Sequence, residues 1–174
     1  MISALFALAT SAHATEPTDR AGDENTVVAL HGVRLGYAYV NTPPDDLKVA
    51  EASGLEVNPN YALIGYELNQ RIDGGSWLNL LFVQNVMLAG MNQSMVRPQA
   101  NALIGFDVET LAELGVGVNW NPLDPHGRPI HLVTAVGATP LVGNMNVPIH
   151  VTWIPDLEDY WRFGVTLGVN WGEG

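Results

Sequence analysis

The chain of 174 residues contains no cysteine, so it can form neither a disulfide framework nor a thiolate metal site. Lysine is nearly absent too. Lys48 is the only one among 7 basic residues, set against 18 acidic ones for a formal net charge of −11. This balance excludes a phosphate-gripping nucleic-acid surface and leaves no basic patch for anionic headgroups. Charged residues make up 14% and hydrophobic residues 47%, yet no run of about 18 apolar residues exists that could cross a membrane as a helix. No repeat of fixed period appears, which excludes propellers and solenoids. His31, His131 and His150 lack metal-ligand spacing, and there is no H-x-x-x-H or G-x-S-x-G motif. No metal, no cofactor and no catalytic residue is therefore expected.

What the chain has instead is alternation. Eight segments carry large apolar or aromatic residues at every second position, each near the roughly 9 to 11 residues that a tilted strand needs to cross a bilayer. They run over 28–41, 61–72, 77–89, 99–109, 114–120, 130–138, 147–154 and 161–171. In the last, Phe163, Val165, Leu167, Val169 and Trp171 share one face, and Arg162, Gly164, Thr166, Gly168 and Asn170 share the other. A soluble barrel puts its bulk inside. Here the bulky face carries the aromatics, and the opposite face carries glycine and arginine, as in a barrel turned inside out with lipid around it. The expected fold is all-β, a transmembrane up-and-down antiparallel β-barrel of eight strands.

Two sets of residues follow from that facing. Tyr37, Tyr39, Tyr66, Trp77, Trp120, Trp153, Trp161 and Trp171 fall at or near strand ends, where amphipathic rings settle at headgroup level as a girdle. On the other face lie Arg34, Glu67, Arg71, Asn79, Asp107, Glu109 and Arg162, with Asn69, Asn101, Asn119 and Asn170. The interior of an eight-stranded barrel is just wide enough to be filled by side chains, so these groups are expected to satisfy one another as a lumen charge network. Folding the first hairpin sets Arg34 near Glu67, and the next two bring Arg71, Asn79 and Glu109 to one level. His131 and His150 are expected to face the lumen near Arg162 as hydrogen-bonding groups.

The connections alternate in length. The 73–76 link, Asp-Gly-Gly-Ser, and the 110–113 link are short, whereas 42–60, 90–98 and 121–129 are longer and rich in Pro, Asn, Asp or Gly. Long loops outside and short periplasmic turns are the outer-membrane arrangement, with both termini in the periplasm. The 139–146 seam is longer than a minimal turn, and Thr134 falls on the lipid face, so this stretch is the least regular. At the start, residues 1–14 read as a signal peptide, apolar from Ile2 and ending in Ala12-His13-Ala14. No basic residue precedes the apolar stretch, so the true start is expected upstream of Met1. Residues 15–27 form an acidic leader, 28–171 the barrel and 172–174 a tail.

The closing stretch reads Arg162, Gly164, Leu167 and Val169, followed by Trp171. This order of polar residue, glycine and alternating hydrophobics is similar to the C-terminal assembly signal of small outer-membrane β-barrels. With the strand pattern over 28–171, the chain resembles the OmpA/OmpX-type family of Gram-negative bacteria, departing from it by continuing past the aromatic into Gly172-Glu173-Gly174. The resemblance implies residence in the bacterial outer membrane, outer-membrane lipid and the barrel-assembly machinery as partners, and a non-enzymatic structural or surface-interaction role. Any extracellular ligand is expected at the outer loops, with 42–60 the foremost. Two other classes are distinguishable. A lipid-modifying enzyme of the same membrane would need a Ser/His/acid cluster on one rim. His150-Val151-Thr152 is similar to the His-x-Ser element of lipid A deacylases but lacks the serine. A soluble lipocalin-like carrier would need a bulky apolar interior.

Orientation gives the first test. Protease added to intact cells is expected to cut within 42–60 and to spare 73–76. Cleavage at the short turn with protection of the long link would invert the topology.

Overall fold

The computed structural model describes residues 27–41, 58–73, 77–94, 96–108, 112–124, 127–155 and 161–172. The stretches expected to be signal peptide and leader, up to residue 26, positions 42–57 of the longest link, Glu109 and the final two residues lie outside them. The strands are β1 (Val27–Val40), β2 (Asn60–Ile72), β3 (Leu78–Ala89), β4 (Arg97–Val108), β5 (Ala112–Trp120), β6 (Ile130–Ala138), β7 (Leu141–Val142), β8 (Met145–Asn146), β9 (Ile149–Ile154) and β10 (Arg162–Trp171). A short 3-10 turn, Met91–Gln93, caps the β3–β4 link. Its Gln93 donates to the Asn60 carbonyl at 2.6 Å.

Each strand pairs antiparallel with its neighbour, and β10 returns to β1, closing an up-and-down barrel. The barrel has eight staves, because β7 and β8 are the lower ends of β6 and β9. Ala138 pairs with Ile149, and Leu141 with Asn146, so three steps along one strand match three steps back along the other and the register never shifts. The ladder is interrupted only where Pro140 and Pro148 lack an N–H, and Val147 still donates to the Pro140 carbonyl at 2.9 Å. Gly143, at φ 63°, then turns the chain in the two-residue Gly143-Asn144 loop. The irregular 139–146 seam of the sequence is thus a continuous hairpin broken by two prolines.

The stagger of the barrel can be followed pair by pair. Val28 leads to Arg71, Leu81, Gly105, Gly115, Ala135, Thr152 and Gly164, and returns to β1 at Ala38, ten residues further on. A closed sheet of eight strands needs such a stagger, with strands tilted by roughly 35–45° to the axis. It sets which inward residues share a level.

Alternation assigns the faces as the sequence implies. Val33, Leu35 and Tyr37 are exposed while Arg34 is buried, and Phe163, Val165 and Leu167 are exposed while Gly164 and Gly168 are buried. Thr134 does lie on the outer wall, where its hydroxyl is 3.3 Å from the Trp153 carbonyl, so its polar group is spent on backbone. One expectation needs correction. The interior is not polar throughout, because β3 turns Leu81, Val83 and Met87 inward. Leu81, Val83, Leu103, Val133 and Ile154 form one apolar cluster, and Tyr61, Leu63, Met87 and Ala89 another. Glycines on β4 and β5 opposite them make room for this bulk.

Two of those glycines differ sharply. A Cβ on Gly117 would sit 1.9 Å from the Ala102 carbonyl oxygen and 2.7 Å from the Leu103 Cα, whereas one on Gly115 would meet nothing closer than the Leu103 side chain at 3.4 Å. Gly117→Ala is expected to destabilise the barrel by about 2–3 kcal/mol and Gly115→Ala by less than about 1 kcal/mol. Denaturant unfolding of the two variants in detergent checks this, and equal losses would contradict the packing described.

Candidate functional site

The polar part of the interior is one connected network. Arg34 on β1 and Glu67 on β2 are each 1% exposed, and the guanidinium Nη2 donates to Glu67 Oε1. Asn170 on β10 donates to the same oxygen at 3.1 Å, and Arg34 Nη1 reaches the Pro148 carbonyl at 3.3 Å. Across the lumen, Arg34 Nη2 lies 2.9 Å from Nδ1 of His150 on β9, whose Nε2 lies 2.5 Å from Glu113 on β5. A guanidinium has only donors, so Nδ1 accepts and Nε2 carries the hydrogen that goes to Glu113. Glu113 continues to Arg71 at 3.5 Å, Arg71 Nε lies 2.9 Å from Asp107, and Asn79 donates to Asp107 at 3.3 Å. The network therefore ties β1, β2, β3, β4, β5, β9 and β10 together.

A second set lies nearer the opposite rim. Asn119 donates to Asn101 and Asn101 to Asn85, both at 2.7 Å, in a ladder across β5, β4 and β3. Next to it His131 pairs with Asp124 of the β5–β6 link at 3.1 Å. Between the two sets is a cavity of about 50 Å³, whose lining includes Glu113, His150, Asn85 and Asn101. That is room for a few waters; pockets for substrate-sized molecules run to about 300 Å³ and more.

The sequence-derived residues are placed as follows. Arg34 and Glu67 meet. Arg71, Asn79 and Asp107 meet, and among the described residues Arg71 also reaches Glu113, at the start of β5; the expected partner Glu109 lies outside the described residues. Arg162 faces inward, half-buried, at the far end of β10 from Asn170, so it does not stand beside His150 as expected. His150 was foreseen as a lumen group, yet its two-sided role depends on Arg34 and Glu113 converging on it. His31 points outward, where Nδ1 bonds the Tyr66 hydroxyl and the ring meets Trp171 edge-on with centroids 5.1 Å apart.

Of the aromatics, Tyr39, Trp120, Trp153 and Trp161 stand near one rim, with Tyr39 and Trp161 in contact at 5.5 Å, and Trp77 and Trp171 stand near the other. Tyr37 lies three residues inside the end of β1. Tyr66 departs from the girdle: it pairs with Val33 and Val86 at mid-strand, because the stagger lifts the middle of β2 to the middle of the wall. Gly164, Leu167 and Val169 sit on β10, with Gly164 inward and the other two outward. The chain matches no protein-family model, and no curated protein is significantly similar to it.

Chemically, the network joins acids and bases to one another across a filled lumen. Among the described residues, no group of three or more His, Asp or Glu side chains is disposed to hold a metal ion. Arg34 and Glu67 form an ion pair with both side chains almost fully buried, and either partner left alone would be an uncompensated charge. Arg34→Met and Glu67→Met are each expected to cost about 3–5 kcal/mol in detergent, and the double variant much less than their sum. A double-mutant cycle measures the coupling, and strictly additive losses would contradict it.

Proposed function

We propose that the chain is an outer-membrane β-barrel protein of non-enzymatic character, structural or surface-interacting, with a filled lumen and with its contacts to partners made by the outer loops. The observation that carries this reading is the inversion of polarity across the wall. Inside are Arg34, Glu67, Asn69, Asp107, Asn119 and Asn170, all nearly or fully buried. Outside are Leu35, Ile104, Val118, Leu132 and Leu167, each at least half exposed. These apolar side chains come from β1, β4, β5, β6 and β10, so the apolar surface runs around the barrel instead of forming one patch. A soluble monomer seldom exposes more than a few hundred Å² of contiguous apolar surface. Hydrocarbon accepts such a belt, and closure leaves no backbone edge to satisfy there.

The two sets of rim aromatics support the same reading, since amphipathic rings at both ends of an apolar wall suit the two headgroup layers. The filled lumen speaks against a soluble carrier, which would need an apolar ligand cavity. The likeness to OmpA/OmpX-type barrels adds the assembly machinery as a partner, through Arg162, Gly164, Leu167, Val169 and Trp171.

The purified chain is expected to require detergent or lipid, to show β-rich circular dichroism in it, and to resist extraction from vesicles by high salt. A monodisperse monomer in plain buffer would overturn the proposal.

A further inference from the structure

The outward positions of the described strands are apolar with few exceptions, and most of the polar ones gather in one place that runs from mid-wall, at Tyr66 and Gln84, down to His31 and Gln70 near the rim that holds Trp171. On β2 the outward residues run Tyr66, Leu68 and Gln70, alternating with inward Glu67 and Asn69. Opposite Leu68 stand His31 on β1 and Gln84 on β3. Leu68 is therefore framed by a phenol, an imidazole and two carboxamides. The phenol and imidazole are bonded to each other, and Trp171 closes the margin against His31.

We propose that this face, centred on Leu68, is the interface of a two-fold dimer formed with a second copy of the chain within the membrane, an inference that rests on the membrane reading above. Depth argues for a protein partner. Tyr66 and Gln84 lie midway along their strands, out of reach of headgroups at the rims, and acyl chains offer no hydrogen-bonding partner to a carboxamide. Chemistry argues for a second copy. A two-fold interface sets each patch against itself, and a carboxamide, being both donor and acceptor, pairs with its own kind. The patch holds no Asp, Glu, Lys or Arg, so two chains of net charge −11 can meet there without opposing like charges. Polar side chains between apolar neighbours are the groups that hold membrane segments together.

The absence of cysteine makes the test direct, because Leu68→Cys carries the only thiol. In phosphatidylethanolamine/phosphatidylglycerol vesicles under mild oxidation, Leu68→Cys is expected to give a disulfide-linked dimer. Leu132→Cys, on β6 across the barrel, is expected to stay monomeric. Adding Gln70→Leu and Gln84→Leu to Leu68→Cys replaces two wall residues by apolar ones, which a barrel in lipid tolerates, and should lower the dimer yield about tenfold. Leu68→Cys that inserts but remains monomeric, open to a lipid-dissolved maleimide, would overturn the dimer and leave the membrane reading standing. So would a yield unchanged by the two glutamine substitutions. A chain that stays outside the vesicles would overturn the membrane reading and the dimer with it.

Discussion

Ten antiparallel residue pairs, from His31–Trp171 to Val40–Arg162, tie the first strand of this protein to its last. They leave no stave of the wall with an open edge, and every other feature depends on that. In an open sheet the outer row of N–H and C=O groups would need water or another chain. With the sheet closed, the outer wall is free to be apolar, and the polar side chains are confined to a narrow lumen where they must find one another.

Closure also decides how they do so. The ten-residue stagger brings His150 of β9 to the level of the Arg34–Glu67 pair, and sets Arg71, Asp107 and Asn79 at a lower one. Arg34 is the hinge of this arrangement, in contact with Glu67, His150 and the Pro148 carbonyl. Burial of a charge is tolerable only where such partners are in place, so the network holds specific strands in register and also fills the space that a pore would need. The remaining space is filled differently. Leu81, Val83, Leu103, Val133 and Ile154 pack against one another there, so apolar side chains occupy the part of the lumen that the polar network does not.

The prolines at 140 and 148 illustrate how little a local irregularity changes a closed sheet. Each removes one ladder donor, yet the register on either side is the same because the neighbouring strands, β5 and β10, hold β6 and β9 in place. The Gly143-Asn144 turn then brings this hairpin to the same rim as the others.

The faces of the strands were legible in the sequence, because side chains alternate with a period of two wherever one side of a sheet differs from the other. That rule alone separated Val33, Leu35 and Tyr37 from Arg34, and Phe163, Val165 and Leu167 from Gly164 and Gly168; it also paired Arg34 with Glu67, since a single hairpin joins them. What it left open was anything that depends on register around the whole ring. Glu113, at the start of β5, reaches both Arg71 and His150, Tyr66 stands at mid-wall instead of a rim, and the polar groups around Leu68 share one patch. These were decided by tertiary structure, for a physical reason: alternation says which side of the wall a residue faces, whereas its height on that wall is the sum of every strand offset between it and its neighbours, and that sum is defined only when the barrel closes.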